Sequence, residues 1–234
     1  KEGYTVTLEK NAVLNFTNAD SKLIIEGKLI IKEGAIVTLQ NGSYIESDKN
    51  GQLVIEGTAS NRVTITGPLG VNNGTIRLNS SVTSNIKYAD FTGNNSNSYN
   101  DYVIKIEDGS TIDNSTISGA GLGVDLTNGS ITNSKIHSFR NGALYLNDSN
   151  ATATGNEIYD GHTQAGKYAY VTIYGSSTFK NNRVYSTSDT GDYGVMVEGD
   201  ATVENNTIGG STGRHGVAGL IIRYDRNASI RYNN

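Results

Sequence analysis

The chain has 234 residues, a formal net charge of −4, 28 glycines, one proline and no cysteine or tryptophan. Without cysteine there is no disulfide framework, zinc knuckle or thiol nucleophile. Nineteen basic against 23 acidic residues, with no basic block, leaves no footprint for nucleic acid. No apolar run approaches the ~18 residues of a membrane-spanning helix, and the low charge with Val, Ile and Thr throughout argues for a folded chain with a lean core.

The chain opens on Lys1, without Met or an apolar leader, as expected of a chain whose export signal has been removed. Residues 1–66 read as short strands broken by glycine turns. Leu23-Ile24-Ile25-Glu26-Gly27 returns as Leu53-Val54-Ile55-Glu56-Gly57, with Leu29-Ile30-Ile31 and Ala35-Ile36-Val37-Thr38-Leu39 between. This spacing predicts two or three tight coils and an N-terminal cap. The turn Gly67-Pro68-Leu69-Gly70, which holds the single proline, marks the join to longer coils over 67–234.

From there one pattern repeats, an apolar residue followed five positions later by a second. The pairs are Ile86/Phe91, Ile112/Ile117, Ile131/Ile136, Ala153/Ile158, Phe179/Val184 and Val203/Ile208, with Ile230 opening a seventh copy. Copies begin 19 to 27 residues apart, the length of one turn of a solenoid. A longer strand precedes each copy, with apolar residues at alternate positions: Ile104/Ile106, Val124/Leu126, Leu144/Leu146, Val171/Ile173, Val195/Val197 and Leu220/Ile222. Period two means strand, and no stretch has convincing helical periodicity. Three short parallel strands per coil, stacked ~4.8 Å apart, give an all-β parallel β-helix of nine or ten coils in a single domain, 1–234. Asn between the paired apolar residues suits a tight left-handed turn, and its amide can bond to the next coil as an asparagine ladder. Ser115 and Ser134 stand there in two coils, which predicts an imperfect ladder.

The Leu-x-Ile-x-Gly openings and the x-Asn-Asn-x-Ile coils resemble the right-handed parallel β-helix superfamily that includes pectate lyases and polygalacturonases. In pattern they are closest to the β-helix repeats of bacterial and archaeal surface proteins. The resemblance covers nearly the whole chain and implies right-handed coils in a secreted, cell-surface setting. It carries over no catalytic residue.

Loops vary most between the second apolar position of a copy and the next long strand, where function tends to sit on such a scaffold. The outward positions of the long strands stack into two columns, Lys105, Asp125, Tyr145, Thr172, Met196 and Ile221, and Glu107, Thr127, Asn147, Tyr174, Glu198 and Arg223. Asp125 with Glu107 and Lys105 is the best acid–base cluster, against the bland alternative of a solvated charge pair. Loop carboxylates Asp160, Asp189 and Asp192 could join them. Fourteen tyrosines without tryptophan offer apolar faces and rim hydroxyls to a sugar. Tyr145, Tyr168, Tyr170, Tyr174 and Tyr193, with Arg223, are the candidate glycan-binding set. The competing reading is that tyrosine simply suits sheet surfaces. His137, His162 and His215 read as loop residues out of line with one another, so no metal site is expected. Structural calcium between Asn and Asp turns is the one cofactor these residue types would suit.

Three functions stay open. The first is a non-catalytic extracellular adhesion module that binds polysaccharide or a cell-surface glycan. The second is a lyase or hydrolase acting on acidic polysaccharide near Asp125. The third is a structural spacer or filament subunit that associates end to end, because the chain stops at Asn234 inside a tight turn and a blunt solenoid end exposes strand edges. That ending reads as a fragment of a longer surface protein. Neither nucleic acid nor membrane insertion is expected.

Overall fold

The computed structural model describes residues 3–68, 71–72, 75–93, 101–119, 121–148, 150–161, 169–186, 193–209, 218–223 and 227–234. They form a three-sided stack of short strands with no helix among the described residues. Each coil gives one strand to each of three sheets. The first sheet runs from Thr5–Leu8 to Ser229–Arg231 with ten strands, and the second from Val13–Asn15 to Thr207–Ile208 with nine. The third runs from Lys22–Ile25 to Ala218–Ile222, also nine along its main path. All pairings are parallel except that of Val71–Asn72 with Asp101–Tyr102. With ten, nine and nine strands on its three sides, the stack makes about eight turns, slightly fewer than the nine or ten expected. Thr5–Leu8 is already a rung, paired with Lys28–Ile31. The stack does not break near the proline, since Val63–Gly67 pairs with both Ile36–Thr38 and Ala89–Gly93.

The core is a set of columns. In the first sheet Ile31, Ile55, Ile86, Ile112, Ile131, Ala153, Phe179 and Val203 stack in register, each at most 1% exposed. Val37, Ile65, Phe91, Ile117, Ile136, Ile158 and Val184 do the same in the second. The constant spacing of five is now explained: it links these two columns across one turn of fixed length. Each inward side chain meets its counterparts above and below, which is how a coil too small to close a core by itself becomes stable.

That turn uses two adjacent residues for two tasks. Tyr88, Asn114, Asn133, Asn181, Asn205 and Tyr232 take the left-handed conformation, with φ between 49° and 56°. The residue after each, Ala89 excepted, makes the ladder. Asn182 Oδ1 accepts from the Asn156 backbone N–H (2.9 Å) and Nδ2 (2.9 Å), while Asn182 Nδ2 donates to the Ala153 carbonyl (3.0 Å). Asn206 repeats this on Asn182, and Asn233 on Asn206. The serines continue the ladder instead of interrupting it: Ser134 Oγ accepts from Ser115 N–H (3.1 Å), and Ser115 Oγ from Ala89 N–H (3.1 Å).

The echo of Leu23–Gly27 in Leu53–Gly57 is not the structural repeat. Leu23 and Ile25 belong to the third sheet, opposite Ile45 and Ser47, whereas Leu53 and Ile55 belong to the first, opposite Leu29 and Ile31.

Candidate functional site

The outer face of the third sheet carries the expected column. Arg77, Lys105, Asp125, Tyr145, Thr172, Met196 and Ile221 follow one another strand by strand. Three tyrosines from this face touch in sequence. Tyr102 meets Tyr145 edge to face, with ring centroids 6.1 Å apart and planes at 89°. Tyr145 stacks with Tyr174 at 6.4 Å and 20°. The ring of Tyr145 lies back over Gly142, where a Cβ would come within 2.6 Å of it, so only glycine lets the ring settle there. Tyr174 is 36% exposed at the end of this strip.

Asp125 sits on Leu122–Leu126, the strand between those bearing Tyr102 and Tyr145. It points outward in register yet is only 5% exposed. Asn147 Nδ2 donates to its Oδ1. Burial pushes the carboxyl up to about 6, against the pull of Lys105 and the Asn147 hydrogen bond, with Glu107 adding to the rise. The Tyr102 hydroxyl is pushed up to about 12, first by burial and then by the charge of Asp125. Lys105 is held by Glu107 at 2.9 Å. The expected trio of Asp125, Glu107 and Lys105 is therefore brought together, but as a Lys105–Glu107 pair beside a buried acid.

The other candidates divide. Arg223 pairs with Glu198 at 3.6 Å. Tyr193 is half-buried at the start of its strand, opposite Ala169 and Ala218. Tyr170 corrects the expectation. It is fully buried, its ring packed edge to face on Phe139 at 4.9 Å and its hydroxyl donated to the Gly161 carbonyl at 2.9 Å, so it presents no surface to a glycan. Alternation fails there because two consecutive residues, Tyr170 and Val171, are both buried, as are Val103 and Ile104 three strands back on the same sheet. Tyr168, Asp189, Asp192, His162 and His215 lie outside the described residues.

His137 is likewise not a loop residue. It lies in the strand Lys135–His137 of the second sheet and stacks on Tyr159 at 4.8 Å, which stacks on Tyr185 at 5.2 Å. Arg183 lies over the Tyr185 ring at 4.2 Å, and Tyr185 donates its hydroxyl to Glu157 at 2.8 Å. Burial, first among its causes, lowers the His137 pKa. The sequence pattern held this column, since all three residues follow the second apolar position of a copy by one. The ring faces there are taken up by one another, which makes it a brace along the stack.

Among the described residues no three His, Asp or Glu side chains converge as metal ligands. A hollow of about 410 Å³ lies at the first rung between Val6, Leu8, Leu14, Phe16, Leu23 and Leu29, away from the strip. It is apolar, with no converging acid or base. Of the outward column, Asp125 and Met196 are 5% exposed and Thr172 1%, so Tyr174 is the exposed end of a largely covered strip.

The family model for the right-handed beta helix region matches residues 101–234, more than half of the chain. This chain belongs to the right-handed β-helix family. No curated protein matches the chain. No solved structure matches it either. Within the right-handed β-helix the matched segment begins on the strand Asp101–Ile106, which carries Tyr102, Lys105 and the first side of the strip.

Proposed function

We propose that this right-handed β-helix is an extracellular, cell-surface module that binds polysaccharide without cleaving it. The observation that carries this reading is the run of three touching rings, Tyr102, Tyr145 and Tyr174, on the outer side of the third sheet. Aromatic rings bury large area at low entropic cost and keep a hydroxyl for the rim of a sugar. The strands of that sheet bring the three rings one after another along the stack, in the direction an extended chain would follow. Depletion of the protein from solution by a panel of insoluble and gelled polysaccharides tests it. Selective depletion is expected, falling at least tenfold in affinity in Tyr145→Ala and in Tyr174→Ala. No depletion from any of them would put the spacer reading ahead.

One observation favours a second reading, acid–base cleavage of polysaccharide at Asp125: a buried acid raised to about 6 suits proton transfer near neutral pH. Against it, glycoside hydrolysis by the common route uses two carboxyls flanking the bond, and Glu107, the neighbouring acid, is engaged by Lys105. Sugar released during the same incubations, and lost in Asp125→Asn, would reverse this order.

A further inference from the structure

Asp125 is buried in the middle of the tyrosine strip without an ion pair among the described residues. Every charged or titratable group named around it is accounted for. Lys105 and Glu107, on and just after the preceding strand, neutralise each other. Asn147, just after the following strand, gives a neutral hydrogen bond. Tyr102, Tyr145 and Tyr174 bring ring faces and neutral hydroxyls. Among the described residues the locality therefore carries one net negative charge when Asp125 is ionised, beside rings whose faces are themselves the negative end of a quadrupole. An acidic sugar laid on this strip would set its carboxylate against that charge. A cation would meet a carboxylate and two rings at right angles.

Resting on the glycan-binding reading above, we infer that the strip recognises a cationic group on its ligand, an amino or quaternary-ammonium sugar, with Asp125 as the counter-ion and Tyr102 and Tyr145 as the walls. Binding draws the proton off Asp125. The ionised form is the one that pays a desolvation cost in the free protein, and a bound cation offsets that cost. Affinity for a ligand of fixed positive charge then rises with pH through the titration of Asp125. This goes beyond the first reading by choosing a ligand class, and it points away from acidic polysaccharide.

The test is calorimetric titration of the whole chain with four probes: an N-acetylglucosamine hexamer, the N,N,N-trimethylated glucosamine hexamer, a galacturonate hexamer, and choline. The trimethylated hexamer is expected to bind about tenfold tighter than the neutral one at pH 7, and to lose about tenfold at pH 5 as Asp125 protonates. The galacturonate hexamer should bind weakest. Asp125→Asn should bind the neutral and trimethylated hexamers alike and without pH dependence. The inference is overturned if the neutral hexamer binds as tightly as the trimethylated one, or if the preference for charge survives in Asp125→Asn. Choline binding without any hexamer would sink the glycan reading and keep the cationic site. Hexamer binding that is indifferent to charge would keep the glycan reading and sink the cationic site.

Discussion

A carboxyl raised by burial holds its proton over a pH range in which the same group in the unfolded chain has lost it. For Asp125 that range runs from its ordinary 3.8 to about 6. The folded state binds more protons there, so stability falls as pH rises across the window, by at most about 3 kcal/mol, and is level above it. Asp113 and Glu157 have the opposite sign: hydrogen bonds from Thr132, Asn114 and Asn133 hold Asp113 low, and those from Tyr185 and Lys135 hold Glu157 low, so both lose stability as pH falls. A bare pH titration of wild type mixes these slopes. The difference between wild type and Asp125→Asn isolates the buried acid. Urea unfolding of both proteins at steps from pH 4 to pH 7 should show wild type losing ground to the Asn variant between pH 4 and pH 6. A difference that stayed constant with pH would mean that Asp125 titrates as an ordinary surface acid.

In the turn that joins the first and second sheets, two asparagines with the same sequence appearance do different work. Asn181 supplies a left-handed backbone, φ 56°, which Tyr88 and Tyr232 also adopt in their coils. Asn182, 2% exposed, supplies bonds to the neighbouring coil that no apolar residue can replace. Asn182→Ala leaves the Asn156 N–H and the Ala153 carbonyl buried and unpaired, at about 2–4 kcal/mol in total. Asn182→Ser should recover about half, because a serine oxygen already accepts the equivalent N–H at Ser134. Asn181→Gly should be nearly neutral, since glycine takes positive φ freely. Urea midpoints for the three variants check the order; a cost at Asn181 equal to that at Asn182 would dissolve the distinction. This turn also shows what was legible in the sequence. Apolar spacing of five and period-two strands revealed the sheets, the columns and the outward place of Asp125, Tyr145 and Tyr174. They could not separate the ladder asparagine from the turn asparagine, because both are Asn and adjacent. They missed the inward ring of Tyr170, where alternation lapses, and the part of Tyr102 in the strip, which depends on a ring contact across two strands.

At the scale of the molecule, each coil touches only its neighbours, so stability should be close to a sum of rung and interface contributions. Phe179 gives a way to measure how far that holds. It follows Ala153 in its column and precedes Val203, filling space that the small alanine leaves. Phe179→Ala would place two alanines one above the other and open a void, a cost of about 3–5 kcal/mol. If the stack is coupled only through nearest neighbours, amide exchange should speed up in Ala151–Thr154 and Thr202–Glu204, the strands that flank it. Lys28–Lys32 and Gln52–Glu56, six and five strands back from Phe179 along the same sheet, should keep their protection. Exchange that accelerated equally in all of these strands would mean that the β-helix opens as one unit. In that case the tyrosine strip could not be loosened locally without unfolding the stack. Graded exchange would instead leave the third-sheet face free to adjust to a ligand while the Asn ladder on the far side of the coil stays closed.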